Sequence, residues 1–281
     1  MKDFEIVSKR ALSQNVNEYR IFAPLVAKHC KAGQFVILRV DDKGERVPFT
    51  ICDYSRKDGI VTILVQEVGY STLKLSKMQE GECLKDFVGP LGNATDLSKY
   101  KNICLVGGGI GCAVIYPQAK QLFANGVNVD VIIGARNKDL LMYLDEFAHN
   151  CNNLYAITDD GSNGKKGFVT DVLNSLLKDG KDYDCVFAVG PLKMMKAVCN
   201  LTKEHGIDTV VSMNSMMVDG TGMCGCCRVS VGGEVKYACV DGPEFDGHAI
   251  DFDEAICRSN QYVEQEREHY CNLRGKYEGR K

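Results

Sequence analysis

Short apolar or alternating runs, separated by turn residues, make up the first hundred positions of the chain. The clearest runs cover residues 4–8, 18–23, 34–40, 47–52 and 59–68. Strands of this length and spacing are typical of a small antiparallel barrel. One brief helix is indicated at residues 72–78, where a Gly-Tyr-Ser-Thr turn supplies hydroxyl groups near the helix start. The pattern therefore predicts an antiparallel β-barrel domain over residues 1–98.

From residue 99 the pattern changes to apolar strands that alternate with helical segments. The predicted strands cover residues 101–106, 127–134, 154–158, 185–189 and 209–213, and the predicted helices cover 112–125, 138–150, 169–178 and 192–205. Such alternation is typical of a parallel sheet with helices on both faces. Ligands of these sheets bind beyond the carboxyl ends of the strands. Residues 99–215 are therefore predicted to form an α/β nucleotide-binding domain.

Composition narrows the class of protein without identifying it. A chain of 281 residues with 45% hydrophobic content is long enough for two domains and a small appendage. The net charge of −3 gives no general attraction to nucleic acid or anionic membranes. The start of the chain has no signal-peptide pattern, and no apolar run approaches the ~20 residues that span a bilayer. We therefore expect a cytoplasmic protein that binds neither nucleic acid nor a membrane.

Ten of the fourteen cysteines are scattered singly, as expected of small buried hydrophobic residues, but the other four cluster. The spacing Asp219-x4-Cys224-x2-Cys227-x11-Cys239 resembles the C-x4-C-x2-C…C run of [2Fe–2S] proteins, with aspartate in the first position. We predict that Cys224 and Cys227 hold one iron from a tight loop, that Cys239 arrives from a hairpin, and that Asp219 is the fourth ligand. Residues 216–250 are thus predicted to be a small iron–sulfur subdomain, and residues 251–281 a polar helical tail that either docks a partner or packs on its own domain.

Three alternatives remain open for this loop. Asp219 precedes Gly220, a common turn pair in which the carboxylate accepts hydrogen bonds from nearby amides. Cys226 could replace Asp219 as the fourth ligand, although ligation by neighbouring Cys226 and Cys227 is awkward. A cysteine-rich loop also suits zinc.

Two segments of the predicted barrel suggest a flavin. They are Arg46-Val-Pro-Phe-Thr-Ile51 and Gly69-Tyr-Ser-Thr72, and together they resemble the flavin-binding motifs of ferredoxin–NADP reductase-like proteins. The resemblance implies that Thr50 contacts the flavin ring and that Phe49 packs beside it. It also implies that a helix N-terminus near Gly69 stabilises the pyrophosphate. The implied FAD-binding residues are Arg46, Pro48, Phe49, Thr50, Gly69, Ser71 and Thr72. Arg46 lies one residue from the position of the family's arginine, so it is either a phosphate contact or a solvated charge at the strand end.

The α/β domain carries two turns that resemble the pyridine-nucleotide half of the same family. The first, Gly107-Gly-Gly-Ile-Gly111, follows the first predicted strand; the second, Val189-Gly-Pro-Leu-Lys-Met-Met195, follows the fourth. Glycine at such a turn lets backbone amides approach a diphosphate. The resemblance implies nucleotide contacts at Gly107, Gly108, Gly109, Gly111, Gly190 and Pro191.

The third predicted strand of the α/β domain ends at Asp159 and Asp160. In this family the region lies near the adenosine ribose, where the two acids would accept hydrogen bonds from a free 2′-hydroxyl and repel a 2′-phosphate. This favours NAD(H) over NADP(H), although Lys165 and Lys166 are close in sequence.

The whole chain, and residues 217–229 and 238–247 in particular, resembles the small subunits of electron-bifurcating NADH-dependent ferredoxin:NADP oxidoreductases, which are near relatives of sulfide dehydrogenase beta subunits. It is similar, more distantly, to the electron-transfer subunit of dihydroorotate dehydrogenase, which has cysteine at the position of Asp219. The resemblance implies hydride exchange between NAD(H) and FAD, followed by single electrons passing through a [2Fe–2S] cluster. It also implies a heterodimer with a larger subunit that carries another flavin and [4Fe–4S] clusters and handles NADP(H) and ferredoxin. The alternatives are a stand-alone flavoreductase and a zinc-stabilised NAD-binding module without enzyme activity.

Overall fold

A computed structural model describes residues 1–277, so the last four positions of the predicted tail lie outside the described part. Its first seven strands are β1 (Ile6–Ser13), β2 (Val16–Phe22), β3 (Phe35–Arg39), β4 (Val47–Thr50), β5 (Asp53–Ser55), β6 (Ile60–Gln66) and β7 (Asp86–Leu91). Two helices lie among them, α1 (Pro24–His29) and α2 (Tyr70–Lys77). The strands form two antiparallel sheets, ordered β1-β2-β6-β5 and β4-β3-β7.

These two sheets enclose a single core. Tyr19 and Ile63 from the first sheet pack in the same buried group as Val36 and Leu38 from the second. Strand β6 is buried along nearly all of its length because it lies between β2 and β5. Strand β4 continues into β5 after a break at Ile51 and Cys52, and this break carries the chain from one sheet to the other.

The second half of the chain forms a mostly parallel sheet. Its strands β8 (Asn102–Gly108), β9 (Asn128–Ala135), β10 (Asn153–Thr158), β11 (Cys185–Val189) and β12 (Asp208–Ser212) are parallel in the order β10-β9-β8-β11-β12. The helices are α3 (Cys112–Ala124), α4 (Leu144–Ala148), α5 (Val169–Lys178) and α6 (Leu192–Glu204), with short 3₁₀ turns at Gly109–Gly111 and Lys138–Leu140. Ile103 and Leu105 pack on the α3 side, whereas Cys104 and Val106 pack on the α5 and α6 side. The continuous apolar strands are therefore buried on both faces.

The cysteine-rich segment is joined to the nucleotide sheet. Strands β13 (Arg228–Val231) and β14 (Glu234–Tyr237) form a hairpin whose turn, Gly232 and Gly233, has φ angles of 60° and 83°. Type I′ turns require such positive angles. Strand β15 (Glu244–Asp246) then pairs antiparallel with β12. The sequence pattern did not predict this strand, which places the segment at the edge of the α/β sheet.

Two predicted helices differ from the observed ones. The region 138–150 was expected to be one helix, but it contains a 3₁₀ turn and the five-residue helix α4. The break is at Tyr143, which has a left-handed φ of 62°. Its ring packs edge-on against Tyr116 with the ring centroids 5.0 Å apart, and its hydroxyl donates a hydrogen bond to buried Glu18. These contacts with other elements interrupt the local helical pattern.

The tail consists of two helices, α7 (Phe252–Ser259) and α8 (Val263–Tyr277), rather than one. Helix α7 packs on α6, and Lys196 Nζ of α6 lies 2.6 Å from Asp253 Oδ1 of α7. Helix α8 lies near α2, and the Tyr270 hydroxyl donates to Glu67 Oε1 at 3.1 Å. Within residues 1–277, no helix combines the length and the apolar character that a membrane crossing needs.

Candidate functional site

The strand predicted to contact a flavin is β4. It pairs with β3, with Pro48 opposite Ile37 and Thr50 opposite Phe35. Side chains alternate along a strand, so Pro48 and Thr50 share one face and Phe49 takes the other. Phe49 packs partly against the barrel core and is also partly exposed, so its predicted place beside the ring stays a prediction. Pro48 and Thr50 are partly exposed, so they are the residues of this motif that can line a ring-binding face.

The turn predicted to bind pyrophosphate leads into α2. The Thr72 hydroxyl is buried and accepts hydrogen bonds from the amides of Val68 and Gly69, at 3.0 and 2.9 Å. Thr72 therefore closes the turn. A Cβ built at Gly69 would meet nothing within 4 Å, so open space lies beside the backbone here. The first amides of a helix lack partners within the helix and suit an anion. The turn thus fits a phosphate group.

The sequence pattern gave no sign of Glu45 in this region. Ser71 donates from its hydroxyl to Glu45 Oε2 at 2.9 Å. The predicted phosphate residue Ser71 is thereby linked to the residue that precedes Arg46. Glu45 follows the glycine of a turn and has no motif around it, so only the fold reveals this contact.

The two nucleotide turns lie side by side at the carboxyl ends of β8 and β11. Val189 is opposite Gly107 in the sheet, and a Cβ at Gly108 would lie 3.1 Å from Pro191 Cδ. A Cβ at Gly111 would lie only 2.3 Å from Val189 O, so only glycine permits this approach. Gly109 has a φ of 55° and open space where a Cβ would point. The turns form a smooth backbone surface that a dinucleotide phosphate can approach closely.

The acidic pair lies at the same edge of the sheet, directly after β10. Asp159 and Asp160 are both exposed. Hydrogen bonds from Ser162 lower the pKa of the Asp160 carboxyl, which keeps it ionised. The Asp160 amide donates to the carbonyl of Arg136 at 3.2 Å, so the residue after β9 is a basic neighbour that the pattern did not single out. Arg136 could have been found from the sequence because it lies just after the end of a predicted strand.

The predicted cluster ligands fall into two pairs. Cys227 Sγ and Cys239 Sγ are both buried and lie 3.3 Å apart without a disulfide. Asp219 is joined to Cys224 because Asp219 Oδ2 accepts from the Cys224 amide at 2.8 Å, while Oδ1 accepts from the Thr221 amide at 2.9 Å. These two bonds, the one from Thr221 first, lower the pKa of the Asp219 carboxyl. Asp219 therefore forms the local turn that its sequence suggests, and its remaining lone pairs can still bind a metal.

This pairing differs from the expected one, in which Cys224 and Cys227 shared an iron. Two sulfurs bound to one tetrahedral metal at about 2.3 Å stand about 3.8 Å apart, close to the Cys227–Cys239 separation. Within residues 1–277, no three His, Cys, Asp or Glu side chains converge as a single metal ion would require. Two pairs of donors suit a two-iron cluster better than one zinc ion. Cys226 lies beside Cys224, with its thiol 4.0 Å from the Cys224 carbonyl, so it remains a neighbour of the Asp219–Cys224 pair.

Two arginines contact the backbone of the cluster loop. Arg46 donates from Nε to Val218 O at 3.2 Å and from Nη2 to Asp219 O at 3.4 Å. Arg258 of α7 donates from Nη2 to Cys226 O at 3.2 Å. No motif in the sequence connects either arginine with this loop. Arg46, predicted either as a phosphate contact or as a solvated charge, therefore also contacts the cluster loop.

The rim of the cluster loop is apolar and exposed. Met223 has 89% of its surface exposed next to the exposed ligand candidate Cys224, and three further apolar side chains are exposed nearby: Met216, Val218 and Val240. Exposed apolar residues are common singly, but a group of them around one loop is typical of an interaction surface.

Two family models and several curated proteins match this chain. Residues 105–200 match the family model of an oxidoreductase NAD-binding domain, and residues 214–251 match the iron-sulfur cluster binding domain of dihydroorotate dehydrogenase B. A Thermotoga maritima protein named "Dihydroorotate dehydrogenase B (NAD(+)), electron transfer subunit homolog" is 46% identical over 95% of this chain and 94% of its own length. The corresponding electron transfer subunit of Bacillus mycoides is 34% identical over 85% of this chain and 94% of its own length.

Solved structures give the same result. A chain of the NADH-dependent reduced ferredoxin-NADP oxidoreductase, a structure reported for flavin-based electron bifurcation, has a TM-score of 0.91 and 44% identity and covers 97% of this chain and 98% of its own. Phthalate dioxygenase reductase, at 18% identity and a TM-score of 0.59 over 81% of this chain and 85% of its own, shares the fold alone. These matches confirm the predicted resemblance, the ferredoxin reductase-like fold class, and FAD, NAD(H) and an iron–sulfur cluster as cofactors.

Proposed function

The chain belongs to the family of dihydroorotate dehydrogenase B electron-transfer subunits and their homologues, and we propose that it is the NAD(H)-linked subunit of an electron-bifurcating oxidoreductase. The observation that carries the proposal is spatial. The cluster loop packs on β3, which pairs with the predicted flavin strand β4, and the nucleotide turns lie at the end of the adjoining sheet. In our proposal, one chain thus holds a nicotinamide site, a flavin site and a cluster site in adjoining parts of the structure.

The cofactors supply the chemistry: when bound, nicotinamide exchanges a hydride with flavin, and the cluster carries single electrons. The chain supplies binding and orientation. In our proposal Thr50 and Pro48 line the flavin ring, and the amides of Ser71 and Thr72 hold the pyrophosphate at the start of α2. Gly107 to Gly111, with Gly190 and Pro191, admit the dinucleotide. Asp159 and Asp160 hold the ribose and favour NAD(H).

The four cluster ligands are assigned in pairs. Cys227 and Cys239 bind one iron, because their sulfurs are already close. Asp219 and Cys224 bind the second iron, because the Asp219 carboxylate is held beside the Cys224 backbone. Carboxylate oxygen is a harder donor than thiolate, so Asp219 should change the reduction potential relative to a four-cysteine site.

The proposed partner is a larger flavin and [4Fe–4S] subunit that docks on the apolar rim around Met223. Burying this rim would exclude water from the cluster and shorten the path of the electron. The bifurcating type of partner is favoured by the match at 44% identity. A partner that oxidises dihydroorotate is the second candidate, because relatives with that name cover most of the chain.

The test is anaerobic purification of the chain alone and with its co-expressed partner, followed by flavin and iron analysis and EPR spectroscopy. We expect one FAD and two irons per chain, and faster flavin reduction by NADH than by NADPH. Asp219→Ala should lose iron or alter the EPR signal, whereas Asp219→Cys should keep the iron and change the g values. Cys226→Ala is the control and should leave both unchanged.

Three results would contradict the proposal or part of it. A colourless protein without flavin or iron would point to the non-enzymatic module. Unchanged iron content and spectra in both Asp219 variants, with a loss in Cys226→Ala, would transfer the fourth ligand to Cys226. Reduction of the partner by dihydroorotate, without ferredoxin or NADP(H) turnover, would select the second candidate.

A further inference from the structure

Arg46 connects the flavin strand with the cluster loop. It precedes β4 and reaches 172 residues along the chain to donate to Val218 O, and its second bond is to Asp219 O. The guanidinium is planar, carries several donors in a fixed fork, and stays charged at every pH that the protein tolerates. A single barrel residue therefore holds two consecutive carbonyls at the proposed ligand Asp219.

The loop lies directly on the barrel at this point. A Cβ at Gly220 would stand 2.6 Å from Ile37 Cδ1 and 2.9 Å from Leu91 Cδ1. Gly220 also has a φ of 75°, which favours glycine. Buried Cys227 and Cys239 pack with the same Ile37 in one apolar group. These contacts hold the loop against β3, and the hydrogen bonds from Arg46 fix the position of its backbone.

We propose that Arg46 is a positioning residue for electron transfer between the flavin and the cluster. It holds the backbone of Val218 and Asp219 against the flavin barrel and places a fixed positive charge beside the cluster. The inference rests on the proposed [2Fe–2S] site and goes beyond the phosphate contact predicted for Arg46. The step that it serves moves one electron from the reduced flavin to the oxidised cluster, and no other reactant is needed.

The charge has a defined effect on this step. Reduction adds one negative charge to the cluster, so a nearby cation stabilises the reduced form. The net charge and hydrogen bonding around a cluster are the main means by which a protein sets its potential. Arg46 supplies both at the Asp219 end. Loss of the charge should therefore make the cluster harder to reduce.

The test compares Arg46→Gln, Arg46→Met and Arg46→Lys as anaerobic holoproteins. Each is analysed for flavin and iron, and the cluster midpoint potential is measured by an EPR-monitored redox titration. We expect iron to be retained in all three. Arg46→Gln and Arg46→Met should lower the equilibrium constant for cluster reduction at least tenfold, which is about 59 mV for one electron. Arg46→Lys should recover more than half of this loss, because it keeps the charge.

Arg39→Gln is the matched control. Arg39 is a cation of the neighbouring strand β3, but its Nε pairs with Asp86 Oδ2 at 2.6 Å rather than with the loop. Its removal changes the net charge by the same amount. It should change the equilibrium constant for cluster reduction by no more than about twofold. An equal shift in Arg39→Gln would overturn the specific role of Arg46.

Other outcomes separate this inference from the proposed function. An unchanged midpoint in Arg46→Gln and Arg46→Met, with flavin and iron retained, would overturn the inference and leave the proposed function intact. Loss of flavin with an unchanged cluster midpoint would assign Arg46 to the phosphate contact alone. Absence of iron from the wild-type protein would remove the proposed function itself. If Arg46→Gln fails to accumulate, Arg46→Met gives the same measurement, because it keeps the apolar stem.

Discussion

Glu244 should make the folded protein less stable as the pH rises from 4.5 to 7. Its carboxyl lies between three parts of the chain. Thr95, in the segment after β7, donates its hydroxyl to Glu244 Oε2, and Ser212 of β12 is opposite Glu244 in the sheet. A Cβ at Gly33 of the barrel would lie 2.8 Å from the same oxygen. The other oxygen, Oε1, is buried and has no hydrogen-bond partner within the described residues, although the residue as a whole is partly exposed.

Burial raises the pKa of Glu244 from its ordinary 4.5 to about 7, and hydrogen bonds from Thr95 and Ser212 oppose the rise. Below pH 4.5 the carboxyl is protonated in the folded and unfolded chains alike, so its burial does not make the free energy of unfolding depend on pH. Between 4.5 and 7 only the unfolded chain ionises, and the folded state loses stability. Each pKa unit corresponds to about 1.4 kcal/mol, so the loss above pH 7 amounts to about 3 kcal/mol.

Glu244→Gln should remove this pH dependence, because glutamine is uncharged and similar in shape. We expect the variant and the wild type to have similar thermal midpoints at pH 4.5. At pH 8 the variant should be more stable by up to about 3 kcal/mol, or roughly 5–10 °C for a chain of this size. The assay is thermal unfolding of the holoprotein by circular dichroism at half-unit pH steps, with the difference between the two proteins plotted against pH.

Asp246→Asn is the control for this experiment. Asp246 lies two residues further along β15, but its side chain is exposed. If Asp246→Asn gave the same pH profile as Glu244→Gln, burial of the carboxyl could not be the cause of the effect. A flat difference for Glu244→Gln, or a variant less stable than the wild type at pH 8, would refute the reasoning that burial dominates at Glu244.

Two further predictions concern the nucleotide sheet. Gly111→Ala should weaken NAD(H) binding in calorimetry and lower the free energy of unfolding by about 1–3 kcal/mol, because the new Cβ meets Val189 O at 2.3 Å. Gly109→Ala has only the strain of a φ of 55° and no clash, so it should cost less, and equal losses would contradict the steric argument. Asp130→Asn should lower the free energy of unfolding, measured with denaturant, by about 2–4 kcal/mol. The reason is that buried Asp130 accepts hydrogen bonds from Asn153, Lys181 and Tyr183 at 2.7–2.8 Å. A wild-type midpoint in Asp130→Asn would show that this network contributes little.

The elements that sequence predicts well are those with a complete local pattern. Helix α5 has its apolar residues on one face and its observed bounds, Val169–Lys178, equal the predicted ones. The β8, β9 and β11 strands are continuous apolar runs, and a run buried on both faces leaves little ambiguity. The fold class follows from these elements because strand–helix alternation restricts the topology to a few arrangements.

The elements that sequence misses depend on distant residues. Strand β15 has three residues and no periodicity, and it exists because β12 offers an open edge. Tyr143 breaks a plausible helix because its hydroxyl reaches Glu18 of the barrel. The contacts of Arg46 and Glu45 are likewise determined by packing between segments. Motif spacing identified which residues are chemically able to act, but it contained no information about these neighbours.

The ligand pairs show the same dependence on packing, and they have a mechanistic consequence. Four ligands in sequence can be divided between two irons in three ways, and spacing alone favoured Cys224 with Cys227. The β13–β14 hairpin instead returns the chain so that Cys239 meets Cys227 against Ile37 of the barrel. In the proposed assignment, the iron of Cys227 and Cys239 would be the buried one, whereas the iron of Asp219 and Cys224 would lie nearer to the exposed Cys224 and the rim. Since Arg46, next to the flavin strand, contacts the backbone of Asp219, substitution of Asp219 should alter electron entry from the flavin as well as electron exit to the partner.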